Sequence, residues 1–205
     1  MIPKTILKAL SRGHEELPQD ALLAALERRA EMTPLFLAEI DATIAKIEAI
    51  EAEPGGERQR KARTGKLLRK PSPLFYIFFL MAERKESAAY QGFAKLLRFT
   101  LIGHDNLLGE PAMEEASYRI MAAVFDGYAG PLLDIILDAN ADESVRFWQW
   151  HTIVLLALEG SVSRESAAAF PARPSTSWRR SRSLWSGRAG RRRCRGSAWP
   201  NSRPW

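Results

Sequence analysis

Cysteine is nearly absent from this chain of 205 residues. The single thiol, Cys194, excludes an intrachain disulfide and a cysteine metal cage, and it fits a reducing compartment. Histidine is scarce too. His14, His104 and His151 are the three, and none has the second histidine at i+4 that a helical zinc site needs. Long hydrophobic runs are missing: the longest, Leu74 to Ala82, is about half of a membrane-spanning helix. The stretch Met1 to Arg12 lacks the continuous apolar core of a signal peptide. The expected location is therefore cytoplasmic, with no membrane contact. Alternation of apolar and polar residues, the mark of a half-buried strand, is absent as well.

Acids and lysine disappear from the last 35 residues. Pro171 to Trp205 contains ten Arg, seven Ser, four Trp and four Pro, with no Asp, Glu or Lys. The whole chain carries a formal charge of +6, yet residues 1–170 hold 20 bases against 24 acids, or −4. The basic character belongs to the tail, which is expected to be disordered because it lacks apolar periodicity. Residues 1–170 are long enough for one domain that buries roughly 68–70% of its unfolded surface.

What this body does have is apolar residues at helical spacing. Ile6, Leu7 and Leu10 mark a first helix, and Leu22, Leu23 and Leu26 a second. Leu37, Ile40, Ile44 and Ile47 step along a longer third helix. Ala89, Phe93, Leu96 and Leu97 form the next stripe, then Met113, Ile120 and Val124, then Leu132, Leu133, Ile136 and Leu137, then Val145, Trp148, Leu155 and Leu156. The run Phe75 to Leu80 is continuous; its flanks predict a buried helix, with a strand as the alternative. Thr33-Pro34, Ser72-Pro73, Glu110-Pro111 and Gly130-Pro131 each precede a helical stretch, because proline is tolerated in a helix's first turn. Thr33, Ser72, Asp142 and Ser163 are candidate N-caps.

Gly55 to Lys70 reads as the main internal linker. It carries seven cations, Arg58 to Lys70, against the single acid Glu57, so it suits a solvated loop or face. A phosphate contact is the sharper alternative, but no aromatic residues are interleaved for base stacking.

Several local patterns resemble a bacterial family of helical-repeat proteins, domain of unknown function 1186. Pro73 to Ala82, the charged turn Glu83-Arg84-Lys85-Glu86 and Ser87 to Phe99 are similar to its unit of buried helix, turn and second helix. Gly103 to Gly109, Ala122 to Gly127 and Asn140 to Arg146 are similar to its linkers and turns. The resemblance covers Ser72 to Phe170, and Met1 to Glu53 more loosely. It implies a HEAT-like α-solenoid with no catalytic residues to carry over. Some family members end in a cysteine- and histidine-rich metal motif; this chain has no matching residues, so no zinc site is implied. In the family the helix after Ser163 to Phe170 continues into further helices. Here the pattern stops, and the Arg-, Gly-, Pro- and Trp-rich tail has the composition of GC-rich DNA read out of frame.

Candidate chemistry is thin. His104-Asp105 is an acid–base pair in name only, since adjacent residues do not face each other on a helix. Glu114-Glu115 suits a helix N-terminus through the macrodipole. Gly55-Gly56 lacks the spacing of a phosphate loop, and no nucleophile elbow occurs. Phe147, Trp148 and Trp150 stand at helical spacing and suit a core. Tryptophan is also enriched in binding hot spots, which makes Trp148 and Trp150 the candidate partner contacts.

The expected architecture is all-α: stacked antiparallel helix pairs over 1–170, a truncated HEAT-like α-solenoid, and a disordered tail over 171–205, read as a frameshift product. The expected function is a non-catalytic protein-interaction scaffold, without cofactor or metal. The alternatives are a nucleic-acid binder using the tail or the 55–70 loop, and an enzyme whose site is scattered in sequence. A truncated end would leave an apolar helix face uncovered and promote self-association.

Overall fold

The computed structural model describes residues 1–12, 17–68, 71–99 and 116–169. Among these residues the regular elements are helices, and no strand occurs. Residues Met1–Ala167 form one compact unit.

Helix α1 (Pro3–Leu10) starts on proline and buries Ile6 and Leu10. Helix α2 (Gln19–Glu27) departs from its predicted stripe. Its buried residues are Ala21 and Ala25, while Leu23 and Leu26 are 52% and 40% exposed. The small alanine face lets α2 lie close to α1, α3 and α5, and that turns two leucines outward.

Helix α3 (Arg29–Ala52) begins ahead of the Thr33-Pro34 start expected from sequence, and Pro34 lies inside it. Two contacts hold the extra turn. Met32 is fully buried, and the Arg28 guanidinium donates two hydrogen bonds to Glu31, at 3.0 and 2.9 Å. Proline lacks the N–H for one backbone bond, a loss the burial of this turn offsets. Thr33 is therefore not a cap; its hydroxyl is buried without a hydrogen-bond partner.

The expected loop at 55–70 is corrected to a helix, α4 (Glu57–Leu68). Arg, Lys, Gln, Ala and Leu are all good helix formers, and no proline interrupts them. Thr64, Gly65 and Leu68 are buried where α4 packs on α3.

Helix α5 (Leu74–Glu83) occupies the continuous apolar run. The Leu74 N–H donates to Ser72 Oγ at 3.1 Å, so Ser72 does satisfy a first-turn donor. Leu74, Tyr76, Ile77, Phe78, Leu80 and Met81 are buried on more than one face, as a helix enclosed on several sides requires. Lys85 ends this segment in the left-handed region at φ 50°. A 3₁₀ turn (Ser87–Ala89) then leads into α6 (Tyr90–Arg98). The rings of Phe78 and Phe93 stack at 3.8 Å and join α5 to α6.

Helix α7 (Ser117–Ala123) is followed by α8 (Gly130–Leu137), with Pro131 in its first turn. Helix α9 (Glu143–Leu158) is capped by Asp142, whose side chain accepts the Ser144 N–H at 2.9 Å. A short α10 (Arg164–Ala169) begins after Ser163. The expected signals at Met113, Glu110-Pro111 and Gly109 lie outside the described residues.

Contacts place six of these helices in two three-helix rows. Helix α6 packs between α3 and α8, and α5 packs between α2 and α7. Cross-row contacts join α2 to α3, α3 to α5 and α6 to α7, and α9 packs on both α7 and α8.

Candidate functional site

The row α3–α6–α8 forms a groove of about 510 Å³. Its floor is apolar and mostly small: Ile44, Ala45, Gly92, Ala94, Pro131 and Ile135. Gly92 marks a close approach of α6 to α3 beside the groove. A Cβ there would fall 2.5 Å from Ile40 Cγ2, so a side chain at this position would force α3 or α6 to shift. The sequence offered no marker for this groove, because its walls come from helices far apart in the chain.

Charge on the groove's rim is unevenly satisfied. Lys95 Nζ pairs with Glu48 at 3.1 Å, and Arg98 Nε pairs with Asp138 at 2.8 Å. Gln91 donates to Asp126 at 2.7 Å. Asp41 on α3 and Asp134 on α8 line the groove without an ion-pair partner among the described residues. Burial pushes the Asp138 carboxyl upward, but the Asn140 N–H and Arg98 outweigh it and hold it below the usual carboxylate range.

The predicted partner contacts sit elsewhere, on α9. Trp148 and Trp150 are both half-buried. The Trp148 ring stacks on Tyr118 of α7 at 5.8 Å and meets Phe147 edge-on at 5.1 Å. His151 completes this cluster, 4.5 Å from the Phe147 ring and 5.1 Å from Trp148, with Nδ1 3.0 Å from the Phe147 carbonyl oxygen. It is a packed, rim histidine. Phe147, Val154 and Leu158 are the exposed apolar residues of the same helix. The structure therefore brings Trp148 together with Tyr118 and His151, apart from the groove.

On α4 the cations are largely engaged. Lys61 pairs with Glu57 at 2.7 Å, Arg60 with Glu51 at 3.4 Å, and Arg63 with Glu53. Two of those acids come from the end of α3, so this charge run ties two helices together. Phosphate binding there would compete with these pairs.

Among the described residues Arg84 is the most buried cation. Its guanidinium donates to the Ala25 carbonyl at the end of α2 and lies over the Phe36 ring at 5.7 Å. Burial, with Arg29 nearby, lowers its pKa. Its Nε and Nη1 atoms have no hydrogen-bond partner.

Among the described residues no group of His, Cys, Asp and Glu is placed to hold a metal ion, and no helix is long and apolar enough to cross a membrane. His14, His104-Asp105, Glu114-Glu115 and the tail lie outside the described residues. Comparison with family models, characterised proteins and solved structures finds no match.

Proposed function

We propose that this chain is a non-catalytic scaffold of the HEAT-like kind, which binds a protein partner through the face made by α3, α6 and α8. The two-row contact pattern supports a solenoid reading, since stacked helices of a solenoid contact their neighbours in this way. The observation that carries the proposal is the groove itself: a concave, apolar-floored surface with charged groups at its rim, the usual composition of a recognition site. The implied resemblance to domain of unknown function 1186 agrees with this reading, and a cytoplasmic location would suit it.

A photo-cross-linking amino acid placed at Ala45, which is exposed and lines the groove, tests the proposal in cells. The expected result is a discrete protein cross-link that is absent when the same group is placed at the exposed Ala62 of α4. Cross-links to nucleic acid, or none above the α4 control, reject it.

A further inference from the structure

We propose that the groove between α3, α6 and α8 receives a cationic peptide segment of its partner, an inference that rests on the scaffold reading above. Charge complementarity selects this occupant. The two cations on the rim are already engaged, Lys95 by Glu48 and Arg98 by Asp138. Asp41 and Asp134 remain, contributed by helices on either side of α6. An arginine or lysine can lay its apolar stem along the floor near Ile44 and Ile135 and place its charged head against a carboxylate. An acidic segment would meet two uncompensated like charges, and a phosphate backbone would be repelled in the same way.

The floor adds a steric argument. Ala45 and Ala94 carry short side chains, so a peptide backbone can approach the floor closely and present its side chains to both walls. A volume of about 510 Å³ accommodates a few side chains and suits a short segment. The helix α4 cations face the end of α3 and do not line this groove.

Fluorescence anisotropy on the full chain tests the inference. The probe is a dye-labelled, amidated peptide of alanine and leucine carrying two arginines one helical turn apart. Its control replaces both arginines by glutamate. The arginine peptide is expected to bind saturably and the glutamate peptide not to bind. Joint Asp41→Lys and Asp134→Lys substitution, both at exposed positions, is expected to weaken binding about tenfold. Ala45→Trp fills the groove and is expected to abolish binding. A thermal melt of each variant verifies that it folds.

Equal binding of the two peptides, an affinity indifferent to the reversed charges, or no binding of the arginine peptide overturns the inference. If Ala45→Trp blocks binding while charge reversal does not, the groove reading stands and the cationic partner falls. If Ala45→Trp changes nothing, both fall.

Discussion

Tyr90 shows how a polar atom can sit in this core at little benefit. The residue is fully buried, and its ring meets Phe125 edge-on at 5.4 Å. Burial raises the pKa of its phenol, the Asp126 charge raises it further, and the Leu132 backbone N–H tempers the rise. That N–H nevertheless makes no bond of normal geometry, and the hydroxyl is left without a partner. Tyr90→Phe should therefore change stability by less than about 1 kcal/mol, because no complete hydrogen bond is lost. Tyr90→Ala should cost about 3–5 kcal/mol through the cavity it leaves. Urea denaturation of both variants measures the contrast, and a large loss in Tyr90→Phe would show that the hydroxyl is bonded after all.

Asp138 carries a charge-dependent contribution. Its pKa is lowered in the folded state, so its stabilising effect is present above the unfolded carboxylate value near ~3.9 and is lost as pH falls through the lower folded value. Asp138→Asn keeps an acceptor for the Asn140 N–H but removes the charge facing Arg98. The variant should be less stable than wild type at neutral pH, and the gap should close below about pH 4. Denaturation midpoints measured across that range give the sign directly.

Helix α6 owes its position to a missing side chain. An alanine at Gly92 has a better intrinsic helix propensity by about 1 kcal/mol. Its Cβ would nonetheless lie 2.5 Å from Ile40 Cγ2, and Ile40 is buried and β-branched, hence stiff. The clash should win: Gly92→Ala is expected to destabilise by about 1–3 kcal/mol, and adding Ile40→Val should not rescue it, because valine keeps a methyl at the same branch. Ile40→Ala with Gly92→Ala should recover part of the overlap cost. Chemical denaturation of the three variants checks the order.

Helices α2, α3 and α4 depart from what their local patterns predict. Leu22, Leu23 and Leu26 announced α2 correctly as a helix, yet Ala21 and Ala25 became its buried face because close neighbours favour small residues. Gly55 to Lys70 reads as a linker because the stretch is polar, but Glu57–Leu68 is helical and acids at the end of α3 compensate its charge. Thr33-Pro34 looked like a helix start, but burial of Met32 extended the helix past it. In each case the deciding factor is packing or pairing between elements rather than the apolar pattern of the segment itself.

The assembled chain leaves apolar surface uncovered on α9. Val154 and Leu158 are 42% and 70% exposed, and Phe147 lies two turns before Val154 on the same helix. Full-length protein is therefore expected to self-associate with rising concentration, and Val154→Lys with Leu158→Lys should lower the association. Light scattering coupled to size exclusion measures this; a monomer at every concentration contradicts it. The same placement explains why Trp148 and Trp150 were attractive candidates. Trp148 has an aromatic neighbourhood, stacking on Tyr118 between α7 and α9 while staying half-buried, and Trp150 is half-buried as well.

By itself the sequence determined the all-helical class of the described residues, most helix positions, and the cap at Asp142, because these depend on spacing and on residues a few positions apart. It also determined which charges exist. Only the tertiary structure decided that Lys95 pairs with Glu48 and Arg98 with Asp138, and that α3, α6 and α8 enclose a groove. Those outcomes follow from contacts between helices tens of residues apart, where the deciding quantity is a distance in space that no local pattern encodes.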